Sequence, residues 1–90
     1  MNRSYKPMKQ VTQQLIDHLE QSGYSKATIA KYRTTFRNIN QFTDYKSDFI
    51  FDADVCKQYI AWLLDGRNYA DVPRTCQNKI RCANALLEFQ

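Results

Sequence analysis

Residues 25–44, SKATIAKYRTTFRNINQFTD, decide the fold of this 90-residue chain. Apolar side chains recur there at i, i+3, i+7 and i+10, which is the spacing of one face of an α-helix. Ser25 is a favourable N-cap residue. We therefore predict a helix that follows Ser25 and ends near Thr43 or Tyr45. The stripe that would pack on a core is Ile29, Tyr32, Phe36, Ile39 and Thr43.

The outward side of this predicted helix is basic at its edges and neutral between them. No acid occurs in the stretch before Asp44, although the chain has nine acids. Basic side chains along the two sides of a helix can reach DNA phosphates, while neutral polar side chains between them meet the edges of the nucleobases in a major groove. An ordinary solvated helix face is the alternative interpretation. The basic residues are Lys26, Arg33 and Arg37 on one flank of the helix and Lys31 on the other. The ridge between the flanks is Ala27, Ala30, Thr34, Asn38 and Gln41.

The composition is that of one globular helical domain. A chain of this length can bury a modest core without a metal or a disulfide. Hydrophobic residues make up 43% of the chain, and glycine and proline number only two each, which favours helices. No apolar run approaches the roughly 20 residues that span a bilayer, and the N terminus lacks a signal-peptide pattern. We therefore expect a cytoplasmic protein with no membrane partner.

Charge is unevenly distributed along the chain, whose net charge is +4. Residues 1–37 hold seven bases and two acids, residues 38–71 three bases and six acids, and residues 72–90 three bases and one acid. If the two ends meet in space, the domain has one basic side. Such a side favours a polyanionic partner.

The cysteines and the single histidine predict no metal or cofactor site. The three cysteines contain no CxxC pair, so neither a zinc site nor a disulfide framework is indicated. Cys76 falls on the predicted apolar stripe of the last helix, and we expect it to be a buried reduced thiol. His18 lies off the apolar stripe of the first helix and is expected at the surface.

Four helices account for most of the chain, so we predict an all-α fold. Residues 1–8 read as a flexible basic arm, and a first helix spans about residues 9–22 before Gly23. Residues 45–51 form a connector that Phe49 and Phe51 anchor. Asp52 caps the third helix, and Asp71 caps a fourth that begins at Pro73. The inner faces are Val11, Leu15, Ile16 and Leu19 in the first helix, Val55, Tyr59, Ile60 and Leu63 in the third, and Cys76, Ile80, Ala83 and Leu87 in the fourth.

The predicted outer face of the fourth helix is also basic and polar. It carries Arg74, Gln77, Asn78 and Arg81. Arginine suits guanine edges, and glutamine or asparagine suits adenine edges. Aromatic residues lie on the core stripes, which argues against single-strand stacking and for duplex DNA.

The order of these elements resembles the N-terminal core-binding domain of the tyrosine recombinases, the phage-integrase family. The resemblance covers about residues 9–90. It rests on a Ser-x-x-Thr helix start, a tyrosine four residues later and phenylalanines at helical spacing: Ser25, Thr28, Tyr32, Phe36 and Phe42. The family's second helix-start pattern, often Ser-Pro-x-Thr followed by an asparagine, is matched loosely by Val72, Pro73, Arg74, Thr75 and Asn78.

This resemblance implies a SAM-like four-helix bundle that forms half of a clamp around double-stranded DNA. The catalytic domain of such a protein is absent here, so no strand-cleaving activity is expected. The implied partners are duplex DNA, the catalytic domain of the same protein and other recombinase protomers. The family's second and fourth helices face the major groove, which implies phosphate or guanine contacts by Lys26, Lys31, Arg33, Arg37, Arg74 and Arg81, and base-edge contacts by Thr34, Asn38, Gln77 and Asn78.

A small helical protein–protein interaction domain is the alternative hypothesis. Its partner would bind a patch that includes Trp62, Tyr69 or Phe89. An enzyme is not supported, because the chain shows no paired carboxylates, phosphate-binding loop or nucleophile–base pair.

Overall fold

The computed structural model describes residues 6–44 and 49–90. Four helices form there: α1 (Met8–Gln21), α2 (Lys26–Phe42), α3 (Ala53–Leu64) and α4 (Arg74–Phe89), with a 3-10 turn at Tyr69–Asp71. The one β-bridge within the described ranges joins Pro7 to Ile50. The all-α, four-helix prediction is confirmed. Most of the predicted arm, residues 1–5, and residues 45–48 of the connector lie outside the described residues.

Local capping accounts for where α2 and α3 begin. The Ser25 hydroxyl oxygen accepts a 3.2 Å hydrogen bond from the Thr28 amide, and an Asp52 carboxylate oxygen accepts one of 2.9 Å from the Val55 amide. Both predicted caps are confirmed. The prediction that Asp71 caps α4 is wrong, because Asp71 belongs to the 3-10 turn and Pro73 occupies the N-cap position.

One hydrophobic core joins all four helices and the segment before α3. Phe51 is fully buried and Phe49 is half-buried against the core, so the predicted anchoring of the connector is confirmed. Other residues predicted to face the core in α2 and α3 are only half-buried: Tyr32, Thr43, Val55, Ile60 and Leu63. The fully enclosed large side chains include Met8, Ile39, Phe51, Tyr59 and Leu86.

The buried face of α4 differs from its predicted stripe. Ile80 and Ala83 are buried as expected, but Cys82 and Leu86 replace Cys76 and Leu87, which are half-buried. The reason is that α4 packs against α1, α2 and α3, so its buried face is wider than one apolar stripe and includes Cys82 and Leu86.

The buried thiols are therefore Cys56 and Cys82, and burial raises the pKa of each. The prediction of a buried Cys76 is wrong, since this side chain lies at the rim of the core and its thiol donates to the Leu63 carbonyl at 3.4 Å. His18 is exposed, as expected, with its ring centroid 5.7 Å from that of Phe89.

Candidate functional site

Helix α2 is the central element of the candidate site. It packs against α1 on one side and α4 on the other. The basic C-terminal segment, residues 72–90, therefore packs through α4 against the basic helix α2. Surface grooves bordered by α2 lie on both of these sides.

The first of these, the α1–α2 groove, has a volume of about 180 Å³ and contains two arginines one helical turn apart. Arg33 and Arg37 are both exposed, and the buried ring of Phe36 lies between them in the sequence. Two adjacent guanidinium groups suit a phosphate, which accepts several charge-assisted hydrogen bonds. The lining residues are Thr12, Gln13, Ile16, Arg33, Phe36, Arg37 and Asn40.

Arg33 already has an anionic neighbour within the protein. Its Nη2 atom lies 3.6 Å from Oε1 of Glu20, and both side chains are about half exposed. An ion pair this exposed contributes little to stability. Glu20 nevertheless competes with any external anion for Arg33.

The second, the α2–α4 groove, has a volume of about 260 Å³. It brings Lys31 and Thr34 of α2 together with Asn78 of α4, which are three of the predicted contact residues. It also contains Lys79. This lysine was not among the predicted contact residues, because the predicted outer face of α4 ran along Arg74 and Arg81. The lining residues are Ala30, Lys31, Thr34, Thr35, Thr75, Asn78 and Lys79.

Two residues predicted to contact bases are instead bonded within the protein. The Asn38 amide oxygen accepts a 2.6 Å hydrogen bond from the Tyr59 hydroxyl. The Gln77 amide nitrogen donates to the Tyr69 carbonyl at 3.0 Å and to the Val72 carbonyl at 3.4 Å. Both side chains are half-buried. They hold α3 and the 3-10 turn in place rather than projecting freely.

The remaining basic residues that were predicted to contact DNA are exposed and lie outside the α2–α4 groove. Lys26 is at the first position of α2, and Arg74 is at the first position of α4. Arg81 donates from Nε to the Tyr69 hydroxyl at 3.2 Å. These three can add to a basic surface, but the structure does not place them with Lys31 and Asn78.

The exposed aromatic side chains of the alternative hypothesis each pack against a different neighbour. Trp62 is 52% exposed, with its ring 5.3 Å from that of Phe42. Tyr69 contacts Arg81, and Phe89 packs near His18.

The titratable side chains show how burial limits chemistry. Burial raises the pKa of Tyr59, so its phenol stays protonated and is a poor nucleophile. Within residues 6–44 and 49–90, no three His, Cys, Asp or Glu side chains gather as metal ligands would. Nor does that part of the chain contain a helix long and apolar enough to cross a membrane.

Comparison of the chain with protein-family models, with curated proteins and with solved structures finds no match. The resemblance to recombinase core-binding domains therefore rests on the sequence pattern alone.

Proposed function

We propose that this chain is a duplex-DNA-binding module of the core-binding type found in phage-integrase-type tyrosine recombinases. In this role it clamps one side of the DNA, and a catalytic domain that is not part of this chain performs strand exchange. The observation that carries the proposal is the position of α2 between two grooves that each contain a pair of cationic side chains.

The dimensions of α2 suit the DNA major groove. A helix with its side chains is about 10–12 Å across, and the groove is about 12 Å wide. Arg33 and Arg37 on one flank and Lys31 with Lys79 on the other can neutralise phosphates of the two opposing strands. Ala27 and Ala30 on the exposed ridge are small, so the helix can approach the base edges closely.

As one half of a clamp, the chain should bind duplex DNA weakly and with little sequence preference. Non-specific affinities of this phosphate-led kind are about 10⁻⁴ to 10⁻⁶ M at physiological salt. The catalytic domain of the same protein and neighbouring recombinase protomers supply the remaining contacts in this proposal. The module itself is not an enzyme and uses no cofactor.

A protein-interaction domain is the second candidate. The observation in its favour is the half-exposed indole of Trp62, which stacks on Tyr59 and packs at a tilt against Phe42. Aromatic side chains in such positions are frequent anchors of protein interfaces.

Salt-dependent binding of a fluorescent 20-base-pair duplex tests the proposal. We expect the logarithm of the binding constant to fall linearly with the logarithm of salt concentration, because each neutralised phosphate releases counterions. Arg37→Ala should weaken binding to all duplexes similarly and reduce the magnitude of the slope by about 0.9. Lys57→Ala removes the same charge from the exposed face of α3, which borders neither groove, and should change little.

Either salt-independent binding or equal effects of the two variants would contradict this proposal and favour the protein-interaction domain. Chemical-shift mapping with the same duplex locates the surface directly. Perturbations should fall on α2 and α4. Perturbations confined to residues 44–70 would be incompatible with the proposed DNA-binding surface.

A further inference from the structure

The α2–α4 groove has a chemical character that the α1–α2 groove lacks. Its walls carry Ala30, Thr34 and Thr75, three exposed residues whose side chains each bear a methyl group. The hydroxyl of the adjacent Thr35 is bonded to the Lys31 carbonyl at 2.9 Å. The surface offered to a ligand is therefore methyl-rich between two lysines.

Asn78 supplies one carboxamide to this methyl-rich surface. In the part of the chain that the structure describes, its side chain forms no hydrogen bond, whereas Asn38 and Gln77 are both bonded. Of the four residues predicted to contact bases, only Thr34 and Asn78 therefore lie together at a groove with polar groups available to a ligand.

Building on the proposed function, we infer that the α2–α4 groove reads an A·T base pair from the major groove. Thymine presents a C5-methyl group there, which packs against alanine and threonine methyls. Adenine presents N7 and the N6 amino group, which pair with the two ends of an asparagine carboxamide. Lys31 and Lys79 then lie at the sides of the groove, where phosphates flank the base pair.

A G·C pair matches this groove less well. It offers no methyl group to the alanine and threonine methyls, and guanine presents two acceptors, which do not match the donor and the acceptor of an asparagine carboxamide. Lys31 and Lys79 could donate to guanine, but in this arrangement they contact the flanking phosphates. The arginine nearest in sequence to Asn78 on the outer face, Arg81, is engaged with Tyr69 outside the groove. The groove therefore favours A·T over G·C.

Base-analogue duplexes test the inference with the whole 90-residue chain. The reference is a 20-base-pair duplex of mixed A and T, so that every binding register presents A·T pairs. In one analogue, deoxyuridine replaces all thymidines and removes only the methyl groups. In the other, 7-deazaadenine replaces adenine and removes N7. Affinities are measured by fluorescence anisotropy at one low salt concentration.

We expect the uridine duplex to bind about fourfold more weakly, which corresponds to about 0.8 kcal/mol for one buried methyl group. The thymine-to-uracil ratio should fall in Thr34→Ser, which removes a methyl from the groove, and persist in Thr43→Ser, outside it. The adenine-to-deazaadenine ratio should fall in Asn78→Ala and persist in Asn84→Ala, an exposed position elsewhere on α4.

Equal affinities for all three duplexes, with salt-dependent binding intact, would overturn the inference and leave the proposed function standing. Unchanged ratios in Thr34→Ser and Asn78→Ala would also overturn it, because the preference would then come from DNA shape rather than from this groove. Failure of the chain to bind any duplex would overturn both the inference and the proposed function.

Discussion

The hydroxyl of Tyr59 on α3 donates a 2.6 Å hydrogen bond to the amide oxygen of Asn38 on α2. Tyr59 is fully buried, so its hydroxyl needs a partner within the protein. Asn38 supplies that partner from the ridge of α2 that was predicted to face outward. The bond makes Asn38 a structural residue on the proposed DNA-binding helix.

Asn38→Ala should lower the free energy of unfolding by about 1–3 kcal/mol, because it leaves the buried Tyr59 hydroxyl without an acceptor. Its preference among duplex sequences should stay that of the wild type. Gln41→Ala, at an exposed position of the same helix, should change stability by less than about 0.5 kcal/mol. Urea unfolding gives the stabilities. If Asn38→Ala is as stable as the wild type and has an altered preference among duplex sequences, Asn38 contacts nucleobases and the structural role proposed here is wrong.

Phe36→Ala should destabilise the fold by about 3–5 kcal/mol, because the ring is only 6% exposed and its removal leaves a cavity. The matched variant is Phe89→Ala, whose ring is 39% exposed and which should cost much less. Denaturant unfolding followed by circular dichroism compares the two. A loss below about 1 kcal/mol for Phe36→Ala would contradict the orientation of α2.

Leu86 and Leu87 provide a direct test of how α4 is rotated. Leu86 is fully buried and Leu87 only half-buried, so Leu86→Ala should cost about 2–5 kcal/mol and Leu87→Ala clearly less. The two variants remove the same atoms from adjacent positions of one helix, which makes their difference independent of helix propensity. The midpoints of urea unfolding measure both losses. A lower midpoint for Leu87→Ala than for Leu86→Ala would support the orientation of α4 that was predicted from the sequence.

Glu20→Gln should strengthen binding to all duplexes by up to about fivefold, because it releases Arg33 from an exposed ion pair worth about 0–1 kcal/mol. Glu88→Gln makes the same change in net charge on an exposed position of α4 and serves as the control. In an Arg33→Ala background the gain from Glu20→Gln should shrink toward that of the control. Equal gains from both glutamine variants would show a general charge effect without a role for the Glu20–Arg33 pair.

Tyr59 should make the stability of the fold decrease as the pH rises above about 10. Burial raises the pKa of Tyr59, so the folded protein keeps a phenolic proton that the unfolded chain loses near the ordinary tyrosine pKa. Since the unfolded state then binds fewer protons, unfolding becomes more favourable as pH increases. Urea midpoints between pH 8 and pH 11 measure this slope. Tyr59→Phe should show a shallower slope. A residual slope remains because burial also raises the pKa of Tyr32 and of the Cys56 and Cys82 thiols.

Local sequence signals predicted the helices well. Ser25 and Asp52 begin α2 and α3 through bonds to amides three residues ahead, and such short-range chemistry is visible in the sequence. The stripe that contains Ile29, Phe36 and Ile39 was also readable, because α2 has a clear apolar period. The rotation of α4 was not readable, since its buried face depends on three neighbouring helices at once.

The candidate site was predictable only in part, for the same reason. The basic flanks of α2 follow from its own phase, and both lie on grooves. The hydrogen bond between Asn38 and Tyr59 joins residues of different helices, so no local sequence pattern predicts it. Lys79 lines the α2–α4 groove because the buried face of α4 differs from its predicted stripe. Long-range packing thus decided which polar residues remain available to a ligand.

The backbone contact between the start of α1 and the segment before α3 has a consequence for the order of folding. The Met8 amide donates to the Phe49 carbonyl at 3.0 Å, and Pro7 bridges to Ile50. These bonds close a long loop that contains α1 and α2, and loop closure costs entropy before any contact compensates it. Helical turns form from neighbouring residues and do not wait for that closure. We therefore predict that the bonds from Met8 and Pro7 to the segment before α3 form after the helical turns of α1 and α2.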